Sequence, residues 1–190
     1  MNGNKKNVFV FVGLPGSGKD TCTKYLSEKY GATVFSFTTM LKDVVDRFYL
    51  EFNRDTLIKI SEFIRGTFGE DVMAGTMAKD AEKSPAKIIT IGNARRMADI
   101  KYLSKMDGFV LIEIFADIKT RYERVKKRGE KTSDASQTFE QFEADHQRST
   151  ELSIPEVASH AGEHLDNNGS LENLYSQVDA LIKKYTEHEN

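Results

Sequence analysis

Residues 7–21 read NVFVFVGLPGSGKDT: an apolar run, a glycine-rich turn and the start of a polar stretch. The run NVFVFVG (7–13), rich in β-branched and aromatic side chains, predicts a strand covered on both faces. Gly13, Gly16 and Gly18 let the backbone turn its N–H groups inward and approach a phosphate with no side chain intervening. KDTCTKYLSEKY (19–30) predicts a helix whose N-terminus directs positive dipole at the same point. Lys19 adds a full charge there. Buried strand, G-x-x-x-x-G-K and helix, in that order, are the parts of a phosphate-binding loop; the plainer alternative is a glycine turn between strand and helix. Gly13, Gly16, Ser17, Gly18, Lys19, Asp20 and Thr21 form the expected phosphate-binding set.

Asp20 is the unusual member, because a serine or threonine whose hydroxyl meets magnesium usually follows the lysine. A carboxylate beside a polyphosphate is repelled unless a cation lies between them or the side chain turns to a lysine or arginine. Asp20 is therefore read as a magnesium ligand, direct or through water. The competing reading is a solvated first-turn acid that favours the helix dipole.

Outward from the loop, ATVFSF (32–37), KIITIG (87–92) and GFVLIEIFA (108–116) predict further parallel strands, with a weaker fifth at EHLDNN (163–168). A last helix is expected over about 170–185, where Leu171, Leu174, Val178 and Leu181 recur at spacings of three and four. The pattern is α/β, a five-stranded parallel sheet with helices on both faces. Residues 38–83 are helical in character with no intervening strand, too much for one crossover, and read as an inserted helical substructure. Residues 129–154 begin polar and then become a charged helix pattern around Phe139 and Phe142. Thr138 or Ser136 is its expected cap, with Gln141 or Glu140 in the first turn, and the whole reads as a lid.

The 190 residues fit a single domain, and 39% hydrophobic with 29% charged residues is a globular balance. A formal net charge of -2 disfavours a nucleic-acid partner while leaving room for a local basic cluster. The single cysteine, Cys22, excludes an internal disulfide framework and points to a reducing compartment, so the cytoplasm is expected. Lys5 and Lys6 precede an apolar run, but it is short and runs straight into the glycine loop, so it reads as a strand and not a leader. No segment is long enough to cross a bilayer. His146, His160, His164 and His188 have no metal-site spacing. Cys22, four residues before Leu26, is expected to pack inside. Glu113, mid-strand, needs a partner that the sequence does not name.

The loop G-L-P-G-S-G-K-D-T resembles that of adenylate kinase and related nucleoside monophosphate kinases, in which Thr21 would supply the hydroxyl. G-K-D-T also resembles the loops of phage-type deoxynucleotide kinases and of the dephospho-CoA-kinase-like branch. The resemblance implies a P-loop kinase binding Mg-ATP at this loop. KIITIGNARRMADI (87–100) is similar to the family's D-G-x-x-R segment, which implies that Arg95 binds the acceptor phosphate, although the family's acid falls on Ile91. SFTTMLK (36–42) resembles S-x-G-D-x-L-R, keeping Ser36 and Leu41 and placing Lys42 at the arginine. Recognition of that phosphate would then be shared with Arg54 or Arg65, within 53–71. The alternative is that Arg54 and Arg65 are surface residues paired with acids such as Glu51 and Glu62.

Arg121, Arg124 and Arg128 fall on one helical stripe that leads into the expected lid. In the resembled family, arginines here close over the transferring phosphates. Lys19, Arg121, Arg128 and, across the flap, Arg148 are the expected catalytic cations. HLDNNGSLENLYSQVDALI (164–182) resembles the family's ending, which places Asn168 and Gly169 by the adenine; otherwise it is a strand-to-helix turn capped by Ser170. The expected function is transfer of the terminal phosphate of Mg-ATP to a nucleoside monophosphate or similar phosphorylated acceptor. A nucleotide-binding regulatory module and a partner-coupled ATPase stand as alternatives.

Overall fold

A computed structural model describes residues 6–128, 137–145 and 152–186, without the side chains of Arg54 and Arg128. Five strands, β1 (Asn7–Val12), β2 (Thr33–Ser36), β3 (Ile88–Gly92), β4 (Phe109–Phe115) and β5 (Glu163–Asp166), pair in parallel in the order β2-β3-β1-β4-β5. Each lies within the stretch the sequence predicts. The central β1 is buried along its whole length because helices cover both of its faces.

Alternation along β1 divides the core. Val8, Val10 and Val12, with Ile89, Ile91 and Leu111, face α2 (Phe37–Arg47), α4 (Val72–Lys83) and α8 (Ile154–Ala158). Phe9 and Phe11, with Val110, Ile112 and Ile114, face α1 (Lys19–Tyr30) and α9 (Leu171–Thr186), which contribute Cys22, Leu26, Leu174 and Val178. Full burial of each such aliphatic or phenyl group contributes about 1.5–3 kcal/mol, which fixes which face of each strand looks which way.

The helical stretch expected at 38–83 is α2, α3 (Arg54–Phe68) and α4, with no strand between β2 and β3. Side chains set two of its helix starts: Ser36 Oγ accepts from Thr39 N at 3.0 Å, and Asn53 Oδ1 accepts from Thr56 N at 2.9 Å. After β3 come the short α5 (Met97–Ile100) and a 3-10 turn (Leu103–Lys105); after β4 comes α6 (Ile118–Arg128). The pattern around Phe139 is α7 (Phe139–Asp145). Its start is a reciprocal cap: Thr138 Oγ1 accepts from Gln141 N, and Gln141 Oε1 accepts from Thr138 N. Tyr122 of α6 meets the rings of Phe139 and Phe142 at 5.4 and 5.7 Å, tying α7 to α6.

Candidate functional site

The loop between β1 and α1 emerges at the carboxyl end of the central strand, where the connections leaving β1 and β4 turn to opposite sides of the parallel sheet and a crevice opens. Its backbone fits tightly against what lies around it. Gly16 has φ 80°, and a Cβ there would stand 2.7 Å from the carbonyl oxygen of Arg121. Gly18 has φ 110°, and a Cβ would stand 2.3 Å from Asn167 Nδ2. Only glycine meets both demands. Gly18 is also the N-cap of α1 and brings no side chain to the helix end. The first-turn N–H groups face a cleft of about 460 Å³ lined by Gly16, Gly18, Lys19, Asp20, Thr21, Lys24, Arg124 and Asn167.

Lys19 Nζ donates to the carbonyls of Gly13 at 2.6 Å and Leu14 at 3.2 Å, folding its charge over the loop. Ser17 is buried, and its Oγ has no hydrogen-bond partner among the described residues. Asp20 is the acidic side chain on the cleft wall, beside Thr21. Among the described residues no group of three or more His, Cys, Asp or Glu side chains is arranged to hold a metal ion. Cys22, packed behind the loop, has its thiol pushed up to about 12 by burial, against a smaller lowering by Lys19.

Two residues support the loop from outside it. Asn167 Nδ2 donates to Ser17 O at 2.7 Å. Arg121, almost fully buried, donates from Nε to Ala116 O at 2.9 Å and from Nη1 to Pro15 O at 3.3 Å. Burial lowers its pKa, opposed by Asp117. The guanidinium of Arg121, expected among the catalytic cations, bonds to the main chain on either side of the crevice, at Ala116 and at Pro15 of the loop. Arg124, one turn on, lines the cleft, and its Nη2 reaches Asn167 Oδ1 at 3.4 Å while Nη1 is buried with no hydrogen-bond partner among the described residues. The arginine stripe includes Arg124 but does not mark it as the one on the cleft, and no sequence signal distinguishes Asn167 from its neighbour Asn168. Nothing in the spacing separates the cleft-facing arginine from the buried one.

Asn168 and Gly169 form the turn between β5 and α9. Asn168 Oδ1 accepts from Asp117 N at 2.8 Å, its amide donates to Asp166 Oδ1, and Ser170 Oγ accepts from Asn173 N at 3.2 Å. This is the capped strand-to-helix turn, and its side-chain bonds link it to the start of α6. Arg148 lies outside the described residues, as do the side chains of Arg54 and Arg128.

Among the residues expected to bind an acceptor, Ser36 is the register neighbour of Gly92 at the ends of β2 and β3, so the α2 start and the loop carrying Arg95 lie side by side. Lys42 sits on the exposed face of α2, paired with Asp46 and placed 5.6 Å above the Phe52 ring. Arg65 is 7% exposed and its Nη2 donates to Asp99 Oδ1 at 2.7 Å, so it is not a surface residue paired with Glu62. The sequence passed over Asp99, 3% exposed on α5. Ile91, at the family's acid position, is fully buried in the core. Glu113 finds its partner across the β4–β5 ladder, where its Oε2 lies 2.8 Å from His164 Nδ1.

The profile of the AAA domain family matches residues 12–143, and the chain belongs to that family. It is 26% identical over 180 residues to a UPF0200 protein of Methanosarcina barkeri, covering 94% of this chain and 95% of that one. Among solved structures, a shikimate kinase from Bacteroides thetaiotaomicron superposes with a TM-score of 0.64 at 11% identity, covering 94% of this chain and 97% of its own. A gluconokinase from Sinorhizobium meliloti superposes with a TM-score of 0.58 at 12% identity, covering 96% and 94%. The fold is that of a P-loop kinase. Among the described residues no helix is long and apolar enough to cross a membrane.

Proposed function

We propose that this member of the AAA domain family is a cytoplasmic phosphotransferase that moves the terminal phosphate of Mg-ATP to a nucleoside monophosphate or similar phosphorylated acceptor. The observation that carries the reading is the cleft at the N-terminus of α1, in which tightly fitted glycines, Lys19 and Arg124 surround space for a polyphosphate. The loop holding Arg95 stands at the end of the adjacent strand, where an acceptor phosphate would meet the donor.

In this reading an oxygen of the acceptor's phosphate attacks the terminal phosphorus in line, the bond to the bridging oxygen breaks, and ADP leaves with the electron pair. No general base is required, since the nucleophile is already anionic. The protein's work is positioning and charge neutralisation. Loop N–H groups and Lys19 hold the donor's phosphates, Arg124 covers them from α6, and Arg95 holds the acceptor. Magnesium, when bound, neutralises charge between the phosphates; it would be held chiefly by phosphate oxygens and water, with Asp20 and Thr21 on the protein side. Residues 129–154, with α7, would act as a lid, bringing in Arg128 and Arg148 and excluding water.

ADP release from Mg-ATP, with nucleoside monophosphates, deoxynucleoside monophosphates and dephospho-CoA added singly, tests the proposal. One acceptor is expected to raise turnover well above the rate without acceptor. Lys19→Ala should then lower it by about 10²–10³-fold, the usual effect of losing one preorganised donor to the transition state. The buried Ile91 at the family's acid position favours a second reading, a nucleotide-binding regulatory module. Tight ATP binding that no acceptor converts into turnover would select it.

A further inference from the structure

The loop after β3, residues 93–96, carries Arg95 and includes Asn93 in the left-handed region at φ 65°. One buried carboxylate organises it. Asp99 Oδ2 accepts from the backbone N–H groups of Arg95 at 3.0 Å and Arg96 at 3.1 Å. Its other oxygen, Oδ1, accepts from Arg65 Nη2 at 2.7 Å. Arg65 lies on α3, and its Nη1 donates to the carbonyl of Glu70 between α3 and α4. The opposite side of the loop is also held, since Ser153 Oγ donates to Arg95 O at 2.7 Å.

A buried ion pair is a weak device for stability, because desolvation offsets most of the attraction. Its geometry here has a specific consequence. The guanidinium projects from a helix of the insertion and also grips the Glu70 carbonyl after it, and the carboxylate holds two consecutive amides of the loop, so the pair sets one against the other. We propose that Asp99 and Arg65 are positioning residues for Arg95, fixing its main chain relative to α3 so that its side chain meets the acceptor phosphate. This rests on the reading of Arg95 given under Proposed function. Asp99 acts through the Arg95 and Arg96 amides, and Arg65 acts through Asp99; neither touches the substrate.

The experiment is calorimetric titration of the full chain with AMP, GMP, CMP, dTMP and dephospho-CoA, the donor cleft being saturated with a non-hydrolysable ATP analogue. The proteins are native, Arg95→Ala, Asp99→Asn, Arg65→Lys and the combination of Asp99→Asn with Arg95→Ala. Because loss of a charge-assisted hydrogen bond is felt strongly, Asp99→Asn is expected to weaken acceptor binding about tenfold or more. Affinity for the ATP analogue alone should stay within about twofold, since sites without shared partners behave independently. Arg65→Lys keeps the charge without the fork and should fall between native and Asp99→Asn. The combined variant should bind no more weakly than Arg95→Ala alone, an interaction that a general loosening of the fold would not produce.

Should Asp99→Asn unfold, Arg65→Met with Asp99→Asn removes both charges, leaves none unpaired in the interior and takes its place, with thermal unfolding measured alongside. Acceptor affinity unchanged in these variants, or losses that add to that of Arg95→Ala, would overturn the positioning role while leaving Arg95 in place. If Arg95→Ala itself binds as the native protein does, or no acceptor binds the native protein, the reading of Arg95 fails and this proposal fails with it.

Discussion

At the scale of single residues, the phosphate loop depends on contacts that its own motif does not spell out. Gly18 has a positive φ, and the Asn167 amide occupies the place that a Cβ would take there. Gly18→Ala is therefore expected both to destabilise the protein and to weaken binding of an ATP analogue by tenfold or more, because the added methyl must displace the amide that holds Ser17 O. Asn167→Ala removes that hydrogen bond without adding bulk. Thermal unfolding should show a loss of about 1–2 kcal/mol for it, with a smaller loss of nucleotide affinity than for Gly18→Ala. Equal effects of the two substitutions on affinity would show that the amide, and not the glycine's conformation, shapes the loop. Both residues stand in the sequence, yet Asn167 and Gly18 are separated by the whole of the fold, so their contact is invisible to spacing. The same holds for Arg121 and Arg124, three positions apart on one stripe: one bonds to the loop's main chain at Pro15 and the other lines the cleft.

At the scale of elements, helix starts have side-chain caps that compete with functional readings of the same residues. Ser36 was expected to contact the acceptor, and its Oγ accepts from Thr39 N at the start of α2. Ser36→Ala is expected to lower stability by about 1 kcal/mol, read from the urea midpoint, while changing the acceptor KM less than twofold. A large rise in KM with no change in midpoint would return Ser36 to the acceptor site. The α7 start is analogous. Its Thr138–Gln141 box was legible because a capping box is a local pattern of three-residue spacing. What α7 packs against was not legible, since Tyr122 reaches Phe139 and Phe142 only through the direction in which α6 leaves β4.

At the scale of the molecule, titrating groups give the fold a defined pH window. Burial, helped by hydrogen bonds to Asp179 and Glu163, raises the Tyr30 and Tyr185 hydroxyls to about 12, and burial alone raises Cys22 to about 12. The unfolded chain loses these protons first, from about pH 9 upward, so it binds fewer protons than the folded chain there and stability falls with rising pH. On the acid side, burial works to raise Asp179 and Glu163 but is outweighed. Hydrogen bonds from Lys29, Tyr30 and Tyr25 hold Asp179 below its usual value, and those from Lys184 and Tyr185 do the same for Glu163. Their stabilisation is complete above the unfolded carboxylate range and is lost as pH falls through it and below. Urea midpoints measured from pH 3 to 11 should therefore form a plateau with a fall on each side. Tyr185→Phe should flatten the alkaline fall; an unchanged slope would remove Tyr185 from this account.

The sequence by itself determined the sheet, because continuous apolar runs bury on both faces only in a parallel sheet under helices. It also determined the phosphate loop, whose strand, glycines, lysine and helix are contiguous and whose geometry is local. Tertiary structure alone decided which charged side chains face the cleft and which support it. Arg65 of α3 and Asp99 of α5 lie 34 positions apart and meet in the interior, where both are buried. Glu113 found His164 because strand register set them opposite one another. Partners of a charge are chosen by packing between distant segments, and no spacing within one segment encodes that choice.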